Sequence, residues 1–457
     1  MTGENPLTEL TACPRCDKSP LTGTNDGYRC SACKVDYPSV AGMPWLFAEP
    51  DASIGEWRNR LHFALQQLAT QSQQMQAELG GSEQGSLTEK RLKNQIAATD
   101  EHRNTLRALL APIDIQSSPA SHETYLALRT RLPTDHGIAT YYSNIHRDWA
   151  WGDEENAASL AEIAAVAGDA PLGNTLVLGA GAGRLAYDIH MQLDTSQTVA
   201  MDFNPLLLLV AKNVVEGKDV ELFEFPMAPK SIDDCAVKRS LAAPEVVKDG
   251  FHLVLADALR PPFAKGAFNT VVTPWLIDVI GDDLTRQAAR INNLLKDGGR
   301  WINFGSLAFD DTAKARCYSA EEVLDIVEAS GFSQPESREQ TIPYMCSPAS
   351  RHGRRETVFT FAAQKTAKTK APERHKALPD WIVTGKEPVP ALKSFRSQAM
   401  STQIYGFVMS MIDGKRTIDD MAALMEQQQL MTKDEAVPAI RRFLTRMYDD
   451  SKKSQGF

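Results

Sequence analysis

Long apolar runs are missing from this chain: none approaches the ~20 residues that a bilayer-spanning helix needs. The first ten residues, MTGENPLTEL, hold neither a basic stretch nor an apolar one, so no secretory leader is expected. A surplus of basic residues is also missing. Lys and Arg number 49 against 58 Asp and Glu, a formal net charge of −9 that argues against a general nucleic-acid binder with a basic face. Cysteine is scarce, seven in 457 residues, and four of the seven cluster, which argues against a disulfide framework. Together these absences lead us to expect a soluble cytoplasmic protein. A hydrophobic content of 43% with 23% charged residues marks a globular chain, long enough for several domains of roughly 100–200 residues.

What is present changes character along the chain. Residues 1–50 are dense in turns and cysteine, and 51–168 read as a mostly helical connecting region, Gln- and Ala-rich, broken by GGSEQGS at 80–86. More helix is expected from about 121 to 168. From 169 to 364 strands and helices alternate, with candidate strands at 175–180, 198–203, 251–256, 268–275, 300–305 and 356–364. That alternation predicts a doubly wound, Rossmann-like α/β sheet. The basic KTAKTKAPERHK opens a linker over 365–399, and 400–457 reads as a small helical module.

Cys13, Cys16, Cys30 and Cys33 form a C-x2-C-x13-C-x2-C array. Each pair can present two thiolates to one tetrahedral ion, so the pattern points to a structural Zn²⁺ with no open coordination position for catalysis. With YPSVAGMPWLF at 37–47, this region resembles the zinc ribbon that accompanies many tRNA and protein methyltransferases.

VLGAGAGRLAY (177–187) runs from a strand through Gly179, Gly181 and Gly183 into a helix. The every-second spacing departs from the dinucleotide fingerprint G-x-G-x-x-G, because Arg184 stands where the third glycine would fall. Asp202 follows at the end of the second strand, where a carboxylate can accept from both hydroxyls of a ribose. Asp257, next to Ala258, lies beyond the following strand, where methyltransferases place an acid against the adenine amine. No Lys or Ser/Thr of phosphate-binding type is present, as suits a sulfonium cofactor, S-adenosyl-L-methionine, that brings no phosphate.

Around the loop stand YYSNIHRDWAWGDEEN (141–156), VVTPWLIDVIGD (271–282), LLKDGGRWINFGSLAF (294–309), YSAEEVLDIVEASGF (318–332) and IPYMCSPAS (342–350). This ordered set resembles the carnosine N-methyltransferase family over about 140–364. The resemblance implies a class I methyltransferase sheet completed by a C-terminal strand, and a transfer reaction from S-adenosyl-L-methionine. It implies that Arg147 contacts the cofactor's carboxylate end and that Asp278 holds the acceptor's imidazole. Trp275, beside the I-D element, and Tyr344 are candidate walls of the acceptor pocket. The chain departs from the family at Asn144, where the family has glutamine, and at Asp310, where it has histidine. An acid at 310 beside Asp278 would suit an imidazole-bearing or cationic acceptor, a small molecule or a peptide, without implying carnosine itself. Methylation of tRNA or protein, and a non-catalytic scaffold, are the other readings.

The last segment, 404–450, resembles the helical part of the peptide-chaperone domain of quinone-cofactor biosynthesis, which would give the chain a protein or peptide partner. His146, His190, Cys235, Cys317 and Cys346 carry no expected role beyond packing or as unpaired thiols.

Overall fold

A computed structural model describes residues 6–113, 138, 140–310, 313–372 and 388–455. The chain divides into two compact units, 1–375 and 376–457. Among the described residues no helix is long and apolar enough to cross a membrane.

In the first unit, four short antiparallel strands carry the cysteine turns: β1 (Thr22–Thr24), β2 (Gly27–Arg29), β3 (Asp36–Val40) and β4 (Met43–Pro44). Two long helices follow, Pro50–Gly80 and Leu87–Leu109. They break where GGSEQGS was expected to break them, and Ser86 caps the second by accepting from the Glu89 N–H. The first part of the helix expected from 121 falls outside the described residues. Its remainder is a short helix Tyr142–His146, one π-helical turn Arg147–Trp151, and the helix Asp153–Ala167.

The expected doubly wound sheet forms. Its strands are β5 (Gly173–Leu178), β6 (Thr195–Asp202), β9 (Phe251–Leu255), β10 (Phe268–Pro274), β11 (Leu295–Gly305), β12 (Glu336–Tyr344) and β13 (Arg354–Gln364). The order is β12-β13-β11-β10-β5-β6-β9, parallel except that β13 runs against both neighbours. The reversal between β5 and β10 opens a crevice at the carboxyl ends of the strands, where open α/β sheets bind ligands. Burial explains the strand sequences. Val177 packs into one apolar layer while Leu176 and Leu178 pack into the other, so both faces are covered and the strand reads as a continuous apolar run.

β12 was not foreseen, nor was the hairpin of β7 (Val220–Glu224) and β8 (Val237–Leu241). The start of the expected linker is part of the first unit. Lys365 is buried and its ammonium donates to the Asn292 and Leu295 carbonyls at 2.7 and 2.8 Å. Residues 373–387 of that linker lie outside the described set.

The second unit is three helices, Lys393–Ser410, Ile418–Gln427 and Lys433–Gln455, around Val408, Met411, Met421, Ala422, Met425, Ala436 and Ile440. Its first helix begins seven residues before the module expected from 400.

Candidate functional site

The glycine loop lies at the carboxyl end of β5. At Gly179 (φ +71°) an added Cβ would come within 2.6 Å of Leu276 Cδ1, so the missing side chain admits the residue next to Trp275. Gly181 (φ +59°) differs: a Cβ there would meet nothing within 4 Å. Its backbone faces open space, and its N–H donates to Asp202 Oδ2 at 2.9 Å. Asp202 Oδ1 accepts from the Asn204 N–H at 2.8 Å. Asp202 is 6% exposed, and burial pushes its pKa up to about 6 against those backbone donors. Asp257 sits at the next strand end, where Oδ1 accepts from the Leu259 N–H at 2.8 Å and shapes the turn that also contains Ala258. The two acids are brought to neighbouring strands by the Ala256 N–H, which donates to the Asp202 carbonyl at 3.0 Å.

The RDW turn is locked onto this loop by two bonds. The Trp149 indole donates to the Ala182 carbonyl at 2.7 Å. From the other side, Arg184 donates to the Asp148 carbonyl at 2.9 Å and pairs with Asp188 at 2.9 Å. The arginine in place of a third glycine is thus the strap between loop and turn, a role no spacing rule points to. Arg147 is 14% exposed and ion-paired with Asp148 at 2.6 Å and Glu155 at 3.2 Å. Glu155 also accepts from the Met345 N–H at 2.7 Å, tying the turn to the loop after β12.

The acceptor-wall residues come together in part. Trp275 and Tyr344 meet with ring centroids 4.9 Å apart, and the Arg354 guanidinium lies 4.5 Å over the Tyr344 ring. Asp278 Oδ2 accepts from the Ala308 N–H at 2.7 Å, which ties the I-D element to the loop after β11. Backbone strain gathers here: Trp275, Leu307, Met345 and Tyr141 all hold φ between +49° and +65°. Such conformations cost about 1–3 kcal/mol each and persist where the surroundings over-determine them. Tyr141 is a residue that sequence reasoning missed. Its hydroxyl pKa is raised by burial and by the charges of Asp202 and Asp278, so the phenol lies in the field of both acids. Asp310 stands apart: its carboxylate is 97% exposed and lies 3.8 Å from Lys314.

The four cysteines converge. Their Sγ atoms all lie within 4.8 Å of one another, with Cys13–Cys33 and Cys16–Cys30 at 3.5 Å. A tetrahedral zinc with ~2.3 Å bonds sets sulfurs about 3.8 Å apart, so the cluster fits one ion. The Tyr37 hydroxyl lies 3.0 Å from Cys13 Sγ. The ribbon is joined to the sheet by backbone pairing. Thr11 bridges Phe263, the Ala12 N–H donates to Pro262, and Trp45 bridges Leu255 on β9. The segment carrying Asp257 is therefore held at both ends by the ribbon. Cys235, Cys317 and Cys346 form no disulfide among the described residues, and His190 bonds to Thr198 within the core.

A family profile described as carnosine N-methyltransferase matches residues 138–367. Carnosine N-methyltransferase of Dictyostelium discoideum is 26% identical over 151 residues, covering 30% of this chain and 32% of that protein. The chain thus spans about a third of the length of the curated relative it matches. Among solved structures, phosphoethanolamine N-methyltransferase 2 of Haemonchus contortus, in complex with phosphomonomethylethanolamine and S-adenosylhomocysteine, aligns over 51% of this chain and 58% of its own, at 16% identity and TM-score 0.34. A methyltransferase of Bacillus halodurans aligns over 46% of this chain and all of its own, at 14% identity and TM-score 0.33.

Proposed function

Because the chain belongs to the carnosine N-methyltransferase family, we propose that it is an S-adenosyl-L-methionine-dependent N-methyltransferase acting on an imidazole-containing small molecule or peptide. The observation that carries the reading is the open backbone at Gly181 beside a buried Asp202, one side-chain contact (Gly179 to Leu276) from the segment bearing Asp278. The donor set fits the cofactor. A neutral, glycine-lined loop suits a sulfonium, and a buried carboxylate anchored by two backbone N–H groups is pre-oriented for ribose hydroxyls. Asp257 and Ala258 would flank the adenine. The Arg147–Glu155 pair offers one charge of each sign, which matches a zwitterionic amino-acid end.

When bound, S-adenosyl-L-methionine supplies an electrophilic methyl group. The chain's own residues do the rest. Asp278 accepts the N–H of the imidazole, fixes the tautomer that leaves the attacking nitrogen its lone pair, and stabilises the positive charge that develops on the ring. Trp275 and Tyr344 form an aromatic wall for that cation. Asp310, fully exposed, is assigned to the approach of a cationic acceptor rather than to its grip. The cysteine cluster is assigned a structural zinc. The second unit is assigned a protein or peptide partner, since Met400 and Ile412 stay exposed there.

The test is calorimetry with S-adenosylhomocysteine together with labelled-methyl transfer to histidine-containing acceptors. Asp278→Ala is expected to cut transfer at least about 100-fold while cofactor affinity stays within twofold. Unchanged turnover in this variant would remove the role of Asp278. A complete lack of cofactor affinity in the native chain would favour the non-catalytic scaffold.

A further inference from the structure

In a chain of net charge −9, the loop that follows Tyr344 gathers charge of the opposite sign. Lys230, Arg351, His352, Arg354 and Arg355 line one hollow of about 390 Å³, and among the described residues no acidic side chain lines it. Two segments far apart in the chain are pinned together to build it. Pro229 bridges Ser350, the Lys230 N–H donates to the Ala349 carbonyl at 3.0 Å, and the Arg351 N–H to the Ala228 carbonyl at 2.9 Å. At Gly353 an added Cβ would come within 3.0 Å of Cys346 Sγ, so the missing side chain lets the two arms of the loop close. The hollow shares Ser350, His352 and Arg354 with the space against Tyr344. The Arg354 guanidinium lies 4.5 Å over the Tyr344 ring, which is 4.9 Å from Trp275. That cation is therefore within about 9 Å of the far side of the acceptor wall, less than the span of three extended residues.

The cations are held in place, yet their charge is not cancelled. Arg351 donates through both terminal nitrogens, to the Pro229 carbonyl and to the Lys230 carbonyl at 2.6 Å. The Lys230 ammonium donates to the Pro348 carbonyl at 2.7 Å. These acceptors are backbone carbonyls, which orient a cation without neutralising it. Among the described residues no carboxylate pairs with Lys230, Arg351 or Arg355, and only Arg354 has one, Glu356 at 2.6 Å. Each terminal guanidinium nitrogen carries two N–H groups and the ammonium three, so donors remain for a ligand. A hollow walled by one sign of charge focuses its field on whatever enters. Three uncancelled cations exceed the single charge of a carboxylate and match a phosphate monoester, about −1.5 to −2 at pH 7 with three acceptor oxygens. Guanidinium forks fit such oxygens in pairs. The cations are confined to one hollow, whereas a nucleic-acid backbone is tracked by an extended basic stripe.

We propose that this hollow is a subsite for a phosphate monoester carried by the methyl acceptor, with Lys230, Arg351 and Arg355 as its ligands. The inference rests on the reading of Asp278 and Trp275 as the reacting end of the acceptor site, and names the class of acceptor that site admits.

The probe is N-acetyl-O-phosphoserinamide, which carries the phosphate but no imidazole, titrated by calorimetry into the full chain saturated with S-adenosylhomocysteine. N-acetylglutamamide, with a carboxylate in place of the phosphate, is titrated beside it. Saturable binding of the phosphate probe is expected, at least about tenfold tighter than that of the carboxylate. Lys230→Gln and Arg355→Gln change exposed side chains, spare the backbone bonds that join the two segments, and should each weaken it about tenfold. No saturable binding, equal affinity for the two probes, or binding that neither substitution weakens overturns the subsite. Transfer assays then compare histidyl-phosphoserinamide with histidyl-serinamide. A tenfold or greater preference for the former, expressed in KM and lost in Arg355→Gln, supports the subsite, and equal kcat/KM overturns it. If the phosphate probe binds and loses affinity in the variants while neither dipeptide is methylated, the subsite stands and the imidazole reading fails.

Discussion

Asp202 should make cofactor affinity depend on pH. Its carboxyl is buried, held by the Gly181 and Asn204 N–H groups, and raised to about 6. Ribose hydroxyls donate to the ionised form, so affinity is full well above pH 6 and is lost as pH falls through that value. At pH 5 about one carboxylate in ten is ionised, which predicts about a tenfold loss, ~1.4 kcal/mol, relative to pH 7.5. Asp202→Asn removes the charge at every pH. Two charge-assisted hydrogen bonds of ~1.5–3 kcal/mol each are forfeited, so affinity should fall at least about 100-fold and become flat with pH. Calorimetric titration with S-adenosylhomocysteine between pH 5 and 8 reads both effects. A flat profile in the native chain, or a pH step that survives in Asp202→Asn, would refute the assignment.

Further outcomes are expected for the loop, its arginine strap and the cysteine cluster. Gly181→Ala should fold, since its Cβ meets nothing, at a left-handed cost of ~1–2 kcal/mol, yet lose most cofactor affinity. Gly179→Ala drives a methyl into Leu276 and should lower Tm further; thermal melts paired with calorimetry separate the two. Arg184→Met strands the buried Asp188 and frees the Asp148 carbonyl, so urea unfolding should show a loss of about 3–5 kcal/mol. Metal analysis should find one zinc per chain, and Cys13→Ser should lower both Tm and cofactor affinity, because the ribbon grips the segment that carries Asp257.

Much of this architecture can be read from residue order. The inner strands are continuous apolar runs because both faces are buried, and the cysteine spacing states its own geometry. β12 escaped because ESREQ is exposed along an outer edge and has no apolar alternation to detect. The strap by Arg184 escaped because it joins side chain to carbonyl across 36 residues, which periodicity does not register. Cys13 to Cys33 converged as the spacing implied, and Trp275 met Tyr344. Asp310 did not join them, because its side chain leaves the loop toward solvent. Tyr141 gave no signal: its place depends on a left-handed backbone that the dipeptide YY does not announce.

The two margins of the sheet are protected in different ways. β12 carries Glu336, Arg338 and Glu339, and such charges deter another chain from adding a strand. β9, FHLVL, holds a single charge-capable residue, His252, and its end is covered by Trp45 and Leu46 of the ribbon, whose Leu46 N–H occupies the Leu255 carbonyl at 2.8 Å. The cysteine module therefore also covers the apolar margin of the sheet. A chain in which this module came away from β9 would bare an apolar template, and its first failure would be in solubility, ahead of chemistry.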